Sequence, residues 1–418
     1  MKQLLAAVIC LSLSAGAFAL EGKVSFDQKG SVSGIVTQLS SQNNANIIPL
    51  PGNPKAAKKW TVMVFVNAKN NLESFGLKDV NEMEMVGSDD NINIVAELGR
   101  INGYATNEGD WKGSRRYLVQ KDSNINAITS PIVMEIPKSD MGSWKYMVEF
   151  VNWAKANYPA QKYVLVIWNH GAGWNKDLSR FENRGISYDD ETGHHMTTPE
   201  MRLALNAIGG VDILSMDACL MQMIEVAYEV KGLTEQIVAS EETEPGDGYT
   251  YDTFLGPLAK KPSMGSAELA KVMVDAYTDH YQSINQGATQ SAINMAAMEG
   301  FPAVVDAFTD ALIAANDLAV AKAAKAKTQA FYYSSNKDMY HFAKLVSETS
   351  ANADVVAKAK ALMSYMKNSL ITHNRATGSK YANSFGLAAY MPTSYTSAYD
   401  GLLWAADSKW DDFTKWLK

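Results

Sequence analysis

Two short segments carry residues able to do nucleophilic chemistry, Asn169-His170-Gly171-Ala172-Gly173-Trp174 and Asp217-Ala218-Cys219-Leu220. A cysteine attacks a carbonyl as its thiolate, and a neighbouring imidazole accepts the thiol proton and returns it to a leaving amine. His170 and Cys219 match those two roles. Gly171 would leave room for a substrate backbone, and its N–H, together with that of Cys219, would complete an oxyanion hole. Each segment alone is a weak signal, because His-Gly is frequent and a cysteine after an apolar run is commonly a core thiol. The two together favour a catalytic pair over a structural one.

Both segments follow apolar runs, VLVIW and ILSM. In an open parallel sheet, ligands gather outside the carboxyl ends of the strands, so polar residues at such ends are the natural candidates for chemistry. The runs belong to a longer pattern. From Trp60, WTVMVFVN reads as a strand buried on both faces, and NINIVAEL, RRYLVQ, KYVLVIWN, VDILSMD and QIVASEE give six strand candidates by Glu241. Helical stretches separate them, including one around Trp144 to Asn157. This alternation predicts a three-layer α/β/α sandwich with a mostly parallel sheet over 60–262. Residues 263–418 read as a mostly helical extension completing that fold, with short strands at SAINMA and GLAAYMP and an aromatic tail, Trp404, Trp410, Phe413 and Trp416, assigned to core packing.

Composition narrows the function classes. The 418 residues are 47% hydrophobic and 20% charged, which suits a globular chain. A net charge of -7 with no basic run beyond Lys58-Lys59 argues against nucleic acid as a partner. Residues 1–19 combine Lys2, an apolar stretch and Ala17-Phe18-Ala19, the pattern of a cleavable export signal and too short for a stable membrane span. Export to periplasm, cell surface or medium is therefore expected. Removing that segment would remove Cys10 and leave Cys219 as the lone thiol. Residues 20–59, polar and closing on PLPGNPKAAKK, read as a linker or pro-segment.

The stretches WTVMVFVNAKNNLE, DVNEMEMVGS, INIVAELGR, YVLVIWNHGAGW, ISYDDETG, VDILSMDACLMQMIEVAYEVK, IVASEETEPGDGYTY and GLAAYMP resemble, in order and spacing, the clostripain family of caspase-fold cysteine peptidases. The resemblance implies a caspase-like fold, with His170 and Cys219 as the catalytic pair and Gly171 and Cys219 supplying the oxyanion-hole N–H groups. The separation of the pair is near the ~50 residues of caspase-type enzymes. It also implies protein or peptide substrates with Arg or Lys at P1, the residue before the scissile bond. Asp217 points to the same side as Cys219 in an extended segment, and Asp247 lies on a glycine-flanked loop; both are candidates for the S1 pocket, where a carboxylate meets the substrate cation. The alternatives are a strand-end cap for Asp217 and a solvated turn for Asp247.

Such peptidases are often activated by cleavage between the two catalytic segments. Here 175–195 would form a long polar loop with Lys176, Arg180 and Arg184, and Arg184-Gly185 is the favoured bond for self-processing against an uncut loop. Asp189-Asp190-Glu191 and His194-His195 raise the question of a metal. Adjacent histidines in a strand point oppositely and no zinc pattern accompanies them, whereas calcium stays open for the carboxylates. No redox or nucleotide cofactor is required. Two rivals remain: an exported binding protein of the same fold without turnover, and a cell-wall amidase or transpeptidase using the same dyad.

Overall fold

A computed structural model describes residues 57–174 and 185–418. The expected export signal, nearly all of the linker, and Lys176, Arg180 and Arg184 lie outside the described residues.

The first apolar run forms β1 (Lys58–Ala68), an interior strand of a nine-stranded sheet. Its side chains alternate between two cores, as a strand covered on both faces requires. Met63 and Phe65 enter one core with Phe150 and Met201; Val62, Val64 and Val66 enter the other with Leu77, Phe254 and Met273. From β1 the chain runs through α1 (Glu73–Glu84) to a parallel neighbour, β2 (Ile92–Arg100), then outward through antiparallel β3 (Gly113–Leu118) and β4 (Ile132–Ile136). The edge strand β4 was not anticipated, because its short run IVMEI is largely solvent-exposed and lacks the alternation of a half-buried strand.

Helix α2 (Trp144–Asn157) brings the chain back to β5 (Ala160–Trp168), which pairs in parallel with the other side of β1. The direction of growth therefore reverses between β1 and β5, the kind of switch point at which α/β sheets open a crevice. The C-terminal half of the expected polar loop is in fact a hairpin, β6 (Ile186–Asp189) and β7 (His194–Met196), because Asp189 folds the turn on itself by accepting from the amides of Glu191 and Thr192. After α3 (Thr198–Ala207), closed by a Thr197/Glu200 capping box, the parallel array continues with β8 (Val211–Asp217), α4 (Ile224–Glu229) and β9 (Thr234–Ala239).

Two later strands join the same sheet, both antiparallel. β10 (Ala288–Asn294), at the expected SAINMA, pairs with β9, and β12 (Ile371–Thr377) pairs with β10 at the edge. ITHNRAT gave no strand signal because edge position leaves it polar and half-buried. The run at GLAAYMP instead becomes β13 (Ala388–Tyr390), paired with β11 (Asn336–Asp338) in a separate two-stranded ribbon. Helices α5 (Tyr251–Lys260) and α6 (Ser266–Ser283) pack on the α1 face, and the C-terminal helices on the other. Trp404, Trp410 and Phe413 are fully buried there, in keeping with a core role for the tail.

Candidate active site

Three strands end side by side at the crevice. β1 leads into Lys69-Asn70-Asn71, β5 into Asn169-His170-Gly171, and β8 into Ala218-Cys219. Trp168 is in register with Asp217 across β5 and β8, so His170 and Cys219 each stand two residues beyond a paired position. The Asn169 amide continues that pairing by donating to the Asp217 carbonyl at 3.2 Å. Asn169 is itself pinned: its side chain donates to the Asn67 and Tyr188 carbonyls and accepts from the Tyr188 amide at 2.7 Å.

Gly171 packs its backbone directly on that of Cys219. A Cβ at this position would lie 2.4 Å from the Cys219 carbonyl oxygen and 3.1 Å from its nitrogen. Only glycine permits this approach. Among the described residues, neither the Gly171 nor the Cys219 amide donates to a backbone carbonyl, as donors reserved for an oxyanion would. Leu220, with φ 64, makes the sharp turn that ends the strand just behind the cysteine.

The thiol is half-buried. Its sulfur accepts from the Glu244 amide at 3.3 Å and faces the Glu244 carbonyl at 3.9 Å. Burial pushes the Cys219 pKa up, and burial likewise holds His170 below the ordinary imidazole value, with nearby Asp190 opposing. Both shifts disfavour a resting thiolate–imidazolium pair. His170 Nε2 contacts Asn71 Oδ1 at 2.7 Å; with the amide oxygen as acceptor, the proton is assigned to Nε2 and Nδ1 is left as the base.

Asp217 lies directly beneath, buried, with the amide of Tyr249 donating to it at 3.2 Å and the Tyr251 hydroxyl at 2.9 Å. Burial raises its pKa to about 6, against these hydrogen bonds and one from Glu244. Gly248 covers it without a side chain; a Cβ there would lie 2.9 Å from Oδ1. Asp247 stands apart on the exposed rim, ion-paired with Lys78 at 3.0 Å. The two expected pocket acids therefore differ in depth and in partner.

In the acidic hairpin, Lys69 supplies a cation to the carboxylates. The buried ammonium pairs with Asp189 at 3.2 Å and Glu191 at 2.5 Å, and His194 is taken by Asp140 at 2.6 Å. Among the described residues no group of three His, Cys, Asp or Glu side chains is arranged to hold a metal. His341 and His373 are engaged in the fold, the first accepting from the Gln329 amide and the second bonded to Asp275, while His280 lies edge-on to the Tyr281 ring.

Sequence reasoning missed Asn71, Lys69 and Glu244. Asn71 was legible by the rule that found His170 and Cys219, since it also follows an apolar run. Glu244 was hidden in SEETEPGDGY, an acidic stretch that reads as solvated.

Residues 64–416 match the profile of the Clostripain family, peptidase C11. Clostripain of Hathewaya histolytica is 30% identical over 238 residues, covering 52% of this chain and 44% of that protein, less than half its length. Among solved structures, a secreted C11 cysteine protease from Bacteroides thetaiotaomicron bound to an irreversible peptide inhibitor aligns at 18% identity, TM-score 0.65, over 84% of this chain and 99% of that one. An inactive zymogen C11 protease from Parabacteroides distasonis aligns at 18% identity, TM-score 0.64, over 86% and 99%. At such identities these structures speak to the fold, a caspase-like one as expected.

Proposed function

The chain belongs to the Clostripain family, and from that membership we propose that it is an exported cysteine endopeptidase that hydrolyses peptide bonds after Arg or Lys. Cys219 attacks the carbonyl, His170 takes the thiol proton and delivers it to the leaving amine, and water then releases the thioester. The Gly171 and Cys219 amides hold the oxyanion. Asp217, and at the rim Asp247, receive the basic side chain. The observation that carries this reading is the common register of the two strand ends bearing His170 and Cys219, with Gly171 pressed against the cysteine backbone.

Export is supported by the secreted relative and by the apolar leader in the sequence; among the described residues no helix is long and apolar enough to cross a membrane. Self-processing at Lys176, Arg180 or Arg184 is part of the same proposal, supported by the basic residues between the two catalytic segments and by the zymogen relative. The test is turnover of fluorogenic peptides with Arg, Lys, Asp, Asn or Leu at P1, by the mature protein and by Cys219→Ala. Arg or Lys turnover abolished in the variant is the expected result; another preferred P1 overturns the pocket, and no turnover even after tryptic nicking overturns the enzyme.

A further inference from the structure

Glu244, which the mechanism above does not use, touches both the nucleophile and the pocket acid. Its backbone brackets the Cys219 sulfur, and its side chain reaches the Asp217 carboxyl. Both Glu244 carboxyl oxygens are closed off from solvent, and no donor group of the described residues reaches them. A contact between two carboxyls is a hydrogen bond only while the pair holds a proton.

We propose that Glu244 is a specificity residue: with Asp217 it forms a proton-sharing carboxyl pair beneath Cys219, and the basic P1 side chain of the substrate takes the place of that shared proton. This rests on the basic-P1 reading above. The exchange is simple: one acid and one carboxylate become two carboxylates facing one cation, one proton leaves to solvent, and no covalent bond changes.

The surroundings favour such an exchange. From α1 the pair is faced by Asp79, whose carboxylate accepts from Trp168 Nε1 at 2.6 Å, and by Glu82 farther out; from the 244–251 segment by Tyr249 and Tyr251; from α6 by Tyr277 and Tyr281; and from the turn after β8 by Cys219. Every one of these is an acid, a phenol or the thiol. Lys78, a cation on the same side, is held by Asp247 and Glu82. Burial raises the pKa of both Glu244 and Asp217, and the Asp217 charge raises that of Glu244 further, which favours retention of a proton by the pair. Gly248 packs against Asp217 without a side chain, and its carbonyl accepts from the Tyr281 hydroxyl at 2.7 Å.

The experiment is calorimetric binding of benzamidine, an aryl amidinium probe, to the full chain at pH 7 in buffers of different ionisation enthalpy, alongside peptides with Arg or citrulline at P1. About one proton released per benzamidine by wild type, none by Glu244→Gln, and an Arg-to-citrulline ratio of kcat/KM at least tenfold lower in that variant are expected. Benzamidine binding to wild type without proton release, or an unchanged ratio in the variant, overturns the proposal while leaving the basic-P1 reading intact. Absence of both benzamidine binding and basic-P1 turnover in wild type overturns the two together. Should Glu244→Gln not fold, proton release by wild type still decides.

Discussion

His170 Nε2 and Asn71 Oδ1 stand 2.7 Å apart, which ties the histidine at the end of β5 to the segment that leaves β1. An imidazole that must accept a proton from one side is best held by an acceptor on the other, since that acceptor selects both the tautomer and the ring orientation. Asn71 is therefore a positioning residue. Asn71→Ala should lower kcat by about tenfold or more, with KM little changed, and should displace the acidic limb of the pH–rate profile. Asn71→Asp, which keeps the acceptor and adds a charge that favours imidazolium, should move that limb upward. Equal profiles for all three proteins would assign Asn71 to the surface instead.

The parallel core of the fold was legible because β1, β5 and β8 are buried on both faces over most of their length and are largely apolar there. The candidate pair was legible because polar residues interrupt those runs abruptly, as in VLVIWNHG and ILSMDAC. Edge elements were not. β4 and β12 lie where one side meets water, so their sequences carry no continuous apolar signal. Long-range partnerships were equally invisible: nothing near Lys69 announces that its ammonium neutralises Asp189 and Glu191 more than a hundred positions away.

Gly171 provides a test of the oxyanion hole. Its φ is not in the left-handed region, so a side chain there is opposed by contact alone, with the Cys219 carbonyl 2.4 Å from the added Cβ. Gly171→Ala should push the two amides apart and lower kcat by roughly 10²–10³. Circular dichroism and active-site labelling of Cys219 should remain close to wild type. Retention of full activity would remove Gly171 from the oxyanion hole.

Depth predicts unequal roles for the two pocket acids. Asp217 is buried and ion-paired with no cation among the described residues, whereas Asp247 is half-exposed and already shares Lys78. A charge contact screened by solvent and by a competing ammonium is worth little, about 1 kcal/mol at most. Asp217→Asn should therefore reduce kcat/KM on Arg and Lys peptides by at least a hundredfold, and Asp247→Asn by less than about tenfold. The reverse order of losses would mean that the substrate cation stops at the rim.

Glu225 links α4 to the C-terminal region and should govern part of the pH dependence of stability. Its Oε1 accepts from the Tyr390 amide at 2.9 Å and the Tyr399 hydroxyl at 2.7 Å, and the side chain is completely buried. Burial, outweighing those two bonds, raises its pKa from 4.5 to about 7. Between these values the native protein keeps a proton that the unfolded chain has released, so the native state binds more protons and stability falls as pH rises. The contribution is full below about 4.5, declines up to about 7, and is absent above it. Glu225→Gln keeps an acceptor for both donors and removes the titration. Its unfolding free energy from urea titration should match wild type near pH 4.5 and exceed it at pH 8 by an amount on the order of 1–3 kcal/mol. A variant that follows the wild-type pH profile throughout would show that Glu225 is ionised in the native state and that the surrounding tyrosines suffice to hold it so.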